Sequence, residues 1–134
     1  MPHPAPLEFS REHEVITRLV VGLTRGIAGK YFPRQPAYHQ LELAFLLLRV
    51  ILGHIDRKPM TVSKLSRERG LSRTTTLRWL SELVEAGYIE RVGNAYWIAK
   101  NETNTPGVRN AVAKNVGVII AAAEELKKVS KKAG

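Results

Sequence analysis

The segment 61–100 constrains the fold of this chain more than any other, because a glycine divides two short helices within it. Thr61 can cap the first helix by accepting hydrogen bonds from the free amides of its first turn. Gly70 ends that helix, since glycine adopts a positive φ without steric cost. Ser72 can cap the second helix, which we predict over about 72–86. This order predicts a helix-turn-helix.

Two runs rich in β-branched and aromatic residues follow, over 88–92 and 95–99. Only Gly93 and Asn94 separate them, and this pair suits the positive φ values of a tight hairpin turn. Residues 60–61 can add a short third strand. We therefore expect a small three-stranded sheet after and beside the two helices.

A family resemblance is carried by residues 70–92, GLSRTTTLRWLSELVEAGYIERV. This stretch resembles the recognition helix and first wing strand of winged helix-turn-helix transcription regulators, most nearly the MarR type. The pattern is a Gly-apolar-Ser turn, an inward-facing triad on the second helix, and a glycine before a strand that ends in arginine. Those places hold Gly70, Leu71 and Ser72, then Thr76, Leu80 and Leu83, and then Gly87 and Arg91. The resemblance implies a mainly α fold with a small β-wing, and a recognition helix over about 72–86 in the major groove of duplex DNA.

Positive charge is concentrated on this part of the chain. The formal net charge is +9, and residues 57–100 hold nine Lys or Arg against four Asp or Glu. Residues 1–56 are nearly balanced, with six against five. A polyanion partner is one interpretation, because neutralised phosphates release counterions. The other is ordinary solvated surface charge, and the placement on the helix-turn-helix favours nucleic acid.

Candidate DNA contacts lie on both helices and on the wing. A guanidinium at position 73 or 78 can bind guanine or clamp a phosphate with two hydrogen bonds, and the sequence leaves this choice open. Hydroxyls at the start of the second helix suit phosphate or a thymine methyl, and cations of the first helix, Arg69 among them, are expected along the DNA backbone. The candidate residues are Lys64, Arg67, Ser72, Arg73, Thr74, Thr75, Arg78, Arg91 and Asn94.

Several of these residues also have a purely structural interpretation. Arg67 can be a solvated charge. Arg91 can pair with Glu85 or Glu90, although surface pairs contribute only about 0–1 kcal/mol. Trp79 is expected to pack against the wing rather than to stack on bases.

The rest of the chain is predicted to be helical and to form one domain with this module, over residues 1–134. Residues 8–56 contain an amphipathic helix and a central helix from about 38 to 56 that is apolar on all sides, so we expect it to be covered on all sides. An amphipathic helix over about 105–130 follows the module at 57–100. The terminal helices are a candidate homodimer interface, as in the family the chain resembles, and completion of the monomer's own core is the alternative.

Catalysis, metal binding and membrane insertion find no support in the sequence. There is no cysteine, the four histidines are scattered, and no recognisable catalytic or metal-ligand motif occurs. We expect no enzyme activity, no cofactor and no metal. The longest apolar run is far short of the ~20 residues of a membrane span, and a basic region followed by an apolar run is absent from the N-terminus. These features predict a cytoplasmic protein without membrane contact.

Two functions remain after these exclusions. The first is a homodimeric, sequence-specific DNA-binding transcription regulator of MarR-like type. The alternative is a winged-helix module that docks a protein or an RNA without sequence-specific DNA binding. A small-molecule effector is possible for the first function, and the sequence identifies neither an effector nor a pocket for one.

Overall fold

The computed structural model describes residues 8–31, 34–100 and 106–133. It is mainly helical with a small β-wing, as predicted. The helices and strands, in chain order, are α1 (Arg11–Tyr31), α2 (Ala37–Ile55), β1 (Met60–Thr61), α3 (Val62–Arg69), α4 (Arg73–Glu85), β2 (Ile89–Val92), β3 (Ala95–Ile98) and α5 (Pro106–Ala133). The chain divides into two compact units, one formed by most of α1 and α5 and the other by the elements from α2 to β3.

The second unit has a continuous apolar core beneath the helix-turn-helix and the sheet. One face of α2 meets buried side chains from α3, α4 and all three strands. The inward-facing triad predicted for α4 is fully buried, with Thr76, Leu80 and Leu83 each 0% exposed. Burying aliphatic side chains of this size contributes about 1.5–3 kcal/mol each, so this core fixes the orientation of α4. The largest fully buried side chains are Leu43, Leu46, Val50, Leu65, Thr76, Leu80, Leu83 and Ile89.

The opposite face of α2 is exposed. Phe45, Leu48, Leu52 and Ile55 follow one another at three- and four-residue steps along the helix, and they are 37–67% exposed. The expectation that this helix is covered on all sides is therefore not met. An uninterrupted apolar stripe of this kind is typical of a surface that contacts a further helix.

The turn from α2 to β1 is a tight C-terminal cap. The amide of Lys58 donates to the carbonyl of Gly53 at 2.9 Å, and the amide of Arg57 donates to the carbonyl of His54 at 3.2 Å. This pair of bonds is the Schellman arrangement, which places the residue after the cap in the left-handed region. Arg57 occupies that position with a φ of 56°. The bonds bring the chain back against Gly53 before β1 begins.

The sheet has the order β1-β3-β2, and both pairings are antiparallel. Met60 pairs with Tyr96, and Ile89 pairs with Ile98. Gly93 at the turn has a φ of 64°, as the tight hairpin requires. The predicted hairpin and the short strand at residues 60–61 are both confirmed.

The first unit consists of two helices that run in opposite directions. Arg11 of α1 binds Glu125 of α5 at 3.2 Å, and Gly26 near the other end of the unit faces Asn115. Val15 is the one buried hydrophobic residue among the described side chains of this unit. Exposed valines and isoleucines remain on both helices, namely Ile16, Val20, Val21, Val112, Val116, Ile119 and Ile120.

Candidate nucleic-acid interface

Helices α3 and α4 begin and end at the residues that the sequence indicates. The Thr61 hydroxyl oxygen accepts from the amide of Lys64 at 3.3 Å, and the Ser72 hydroxyl oxygen accepts from the amide of Thr75 at 3.1 Å. Gly70 has a φ of 64° between the two helices. Each cap stabilises a helix start by about 1 kcal/mol, so local chemistry sets the geometry of the helix-turn-helix.

Two ion pairs attach α3 to α2. Arg49 donates from Nε and Nη2 to the two carboxylate oxygens of Glu68, both at 2.8 Å. These bonds lower the pKa of Glu68 from its ordinary value. Arg69 donates to Glu42, and its guanidinium carbon lies 4.7 Å from the centre of the Phe45 ring. Arg69 thus faces α2, and the expectation that it lies along the DNA backbone is wrong.

The middle of α4 is held by a contact with the start of α2. The Nε2 atom of His39 lies 2.9 Å from a carboxylate oxygen of Glu82. The same imidazole meets the Trp79 ring edge to face, with 5.4 Å between the ring centres. Trp79 therefore packs in part against α2, a contact that the sequence did not indicate.

Basic side chains on the outer surface of α3 and α4 have no carboxylate partner. Lys64, Arg67 and Arg78 are exposed, and their side chains form no hydrogen bond or ion pair with the parts of the chain that the structure describes. The Nη1 atom of Arg73 donates to the hydroxyl of Ser63 on α3 at 3.3 Å. The predicted cations are thus exposed, and the Arg73 guanidinium is hydrogen-bonded to a neutral group.

The hydroxyl groups at the start of α4 differ in whether they already form hydrogen bonds within the protein. The Ser72 hydroxyl donates to the Thr75 hydroxyl at 2.9 Å and also accepts from the Thr75 amide. Both side chains are therefore engaged in the cap. Thr74 is exposed and its side chain has no hydrogen-bond partner among the described residues, so its hydroxyl and methyl are free for a ligand.

On the wing, Arg91 folds over its own turn. Its Nε donates to the carbonyl of Gly93 at 2.8 Å, and the alternative ion pair with Glu85 or Glu90 is not formed. The bond holds the guanidinium at the hairpin tip beside exposed Asn94. Both predicted wing residues therefore lie at one end of the sheet.

The other end of the wing is fixed by a histidine of α2. The amide of Ile98 donates to Nδ1 of His54 at 3.1 Å, and the His54 ring meets Trp97 edge to face at 5.2 Å. Because Nδ1 accepts, the ring proton of this histidine is on Nε2. Sequence analysis gave His54 no role, and the separation of 44 residues explains why no local signal could indicate one.

In the comparison with known families, residues 44–96 match the model of the MarR family. The matched segment runs from the middle of α2 into β3 and contains the whole helix-turn-helix. This segment is similar to the winged helix-turn-helix of the MarR family. No curated protein and no solved structure matches the chain. The MarR-like segment thus coincides with most of the second unit, and α1 and α5 lie outside the match.

Regulators of the MarR family are in general not enzymes. Within the described residues, no three His, Cys, Asp or Glu side chains come together in a way that could hold a metal ion. In the same residues, no helix combines the length and apolar character needed to cross a membrane.

Proposed function

We propose that this protein is a cytoplasmic, homodimeric transcription regulator that binds specific duplex DNA sequences through its MarR-like module. In this proposal α4 lies in the major groove, α3 crosses the backbone, and the tip of the wing reaches a flanking phosphate or the minor groove. The proposal takes its main support from one observation. The exposed cations Lys64, Arg67 and Arg78 of the helix-turn-helix have no carboxylate partner among the described residues, whereas the two arginines at the α2–α3 contact have one each.

Cations at the contact between α2 and α3 have carboxylate partners. Arg49 pairs with Glu68 and Arg69 pairs with Glu42, so both arginines have a carboxylate that offsets their charge. Cations on the outer surface, Lys64, Arg67 and Arg78, have none among the described residues. Exposed cations without carboxylate partners produce the positive potential that attracts a polyanion.

The shape of the surface suits duplex DNA. The recognition helix α4 is 13 residues long and exposes one whole side, and the major groove is wide enough to admit a helix. Its capped N-terminus carries free amides that favour phosphate. Arginine side chains close to that end can bind guanine or phosphate with two hydrogen bonds.

A homodimer is supported by the exposed apolar side chains of the first unit. Among the described side chains of the α1–α5 pair, one hydrophobic residue is buried. Packing within the pair therefore does not account for the exposed valines and isoleucines along both helices. A second copy of the same helices would cover these side chains by two-fold symmetry. Dimeric helix-turn-helix proteins bind half-sites about 34 Å apart, the spacing of successive major grooves on one side of the duplex.

Selection of bound sequences from a random duplex pool tests the proposal. We expect an inverted repeat whose half-sites are about one helical turn apart. Fluorescence anisotropy should then show that the selected duplex binds more tightly than random duplex, and that Arg73→Ala and Arg78→Ala each weaken binding. Arg25→Ala is the matched control, because Arg25 is an exposed arginine of α1 outside the MarR-like segment.

Failure of the selection to converge would contradict the proposal. Weak binding that is the same for all duplexes would instead favour the alternative, in which the module docks a protein or an RNA. A monomer at micromolar concentration, measured by light scattering, would refute the dimer while leaving DNA binding open.

A further inference from the structure

The geometry of α4 divides the work of DNA recognition between its two arginines. We infer that Arg78 reads base edges together with Ser81, and that Arg73 holds a backbone phosphate beside Ser63. This inference rests on the proposed DNA-binding function and specifies which side chains determine the sequence preference. The sequence alone left the roles of the two arginines open.

The outer stripe of α4 consists of the residues that point away from the buried side of the helix. Thr76, Leu80 and Leu83 are 0% exposed and mark the side that faces the core. At 3.6 residues per turn, successive residues are about 100° apart. The residues that point within about 50° of the opposite direction are Thr74, Arg78, Ser81 and Glu85. All four are exposed.

Arg73 lies elsewhere on the helix. It is about 60° from Thr76 around the axis, on the flank rather than on the outer stripe. Its guanidinium points towards α3, where Nη1 donates to the Ser63 hydroxyl at 3.3 Å. In helix-turn-helix proteins the first helix crosses the DNA backbone, so a cation held between the two helices is placed for phosphate.

The charge on the outer stripe supports base contact for Arg78. Glu85 shares the stripe, and its carboxylate would be repelled by a phosphate within hydrogen-bonding distance. A stripe with one cation, two hydroxyls and one carboxylate suits the floor of the major groove, where bases offer both donors and acceptors. Arg78 has no partner among the described residues, so both ends of its guanidinium fork are available for guanine.

Ser81 is the residue that sequence analysis missed. It follows Thr74 and Arg78 at steps of four and three, the spacing that would have identified it. Its exposed hydroxyl can donate to or accept from a base edge one turn beyond the base that Arg78 reads. Its substitution should therefore change the preference at a different base pair.

Charge-conserving substitutions test the division of roles. Arg73→Lys and Arg78→Lys keep the positive charge and lose the two-pronged fork, and both sites are exposed, so folding is preserved. For each variant, affinity for the selected duplex and for random duplex is measured by anisotropy over a range of salt concentrations. Arg73→Ala, Arg78→Ala and Ser81→Ala complete the set, and a repeated selection from the random pool reports any change in preferred sequence.

We expect Arg78→Lys and Arg78→Ala to lower affinity for the selected duplex by about 5- to 150-fold more than for random duplex. Ser81→Ala should relax the preference at a neighbouring base pair. Arg73→Lys should bind like the wild type. Arg73→Ala should weaken binding to all duplexes by the same factor and reduce the slope of log affinity against log salt by about 0.9 for each bound subunit.

The inference is overturned if the wild type is selective and the Arg78 variants retain the same preferred sequence. It is also overturned if Arg73→Lys relaxes that preference. A wild type that does not discriminate between duplexes would instead refute the proposed function itself, so the two failures give different results.

Discussion

Gly53 provides the sharpest test of the packing beneath the β-wing. It lies in the last turn of α2, where replacement of glycine by alanine ordinarily stabilises a helix by about 0.5–1 kcal/mol. The surroundings of Gly53 predict the opposite sign. A Cβ at this position would lie 2.9 Å from the carbonyl oxygen of Lys58 and 3.2 Å from both the amide nitrogen and Cγ of Met60.

The size of the destabilisation depends on which atoms must shift to make room for the added Cβ. Two of the three atoms belong to the backbone of the turn that leads into β1, so a rotamer change cannot relieve the contact. The turn would shift by several tenths of an ångström, at the expense of the hydrogen bond from Lys58 to Gly53. Overpacking of this kind costs about 1–3 kcal/mol, and the gain in helix propensity offsets up to about 1 kcal/mol. Gly53→Ala should therefore destabilise the protein by about 0.5–2 kcal/mol.

Urea denaturation at fixed protein concentration measures the change. Gly22→Ala is the matched control, because Gly22 is also in a helix and a Cβ there meets nothing within 4 Å. We expect the control to be stabilised by about 0.5–1 kcal/mol. If Gly53→Ala were as stable as the wild type or more stable, the close approach of the turn to α2 would be wrong.

Three further perturbations test other features. Arg57→Gly should stabilise the protein by about 0.5–1 kcal/mol in the same assay, since glycine removes the steric cost of the left-handed residue after α2, and a loss of stability would contradict this. Glu68→Gln should destabilise the protein at pH 7 by less than about 1 kcal/mol, because the pair with Arg49 is partly screened. The pairing lowers the folded-state pKa of Glu68 from its ordinary value of 4.5, so the difference between variant and wild type should vanish as pH falls below that value, and a constant difference would exclude the ion pair as its cause. If the proposed homodimer forms through the first unit, Val116→Glu combined with Ile119→Glu should give a monomer in light scattering, and a dimer that persists in this variant would place the interface elsewhere.

The helix-turn-helix could be predicted from the sequence because its signals are local. Thr61 and Ser72 accept from amides three residues later, and Gly70 supplies the positive φ between the helices. The Gly93 turn fixes the hairpin in the same way. Each of these features depends on a few consecutive residues, so their spacing in the sequence is sufficient.

Contacts between distant residues could not be predicted in this way. Arg49 and Glu68 are 19 residues apart and Glu42 and Arg69 are 27 apart, so no periodic pattern relates them. Arg69 was expected on the DNA side because its charge matched that of Arg67. The two arginines differ only in the direction that α3 gives them, which depends on how α3 packs against α2. Which cations lack a carboxylate partner is thus a property of the tertiary structure.

The sheet has consequences for how copies of this protein can associate. Its outer strands are β1, with two residues, and β2, with four. Glu90 and Arg91 occupy the middle of β2 and are exposed. Short, charged edge strands are poor templates for an added strand, which protects against fibril-like growth and strand exchange. Self-association of concentrated protein should therefore leave its β content unchanged.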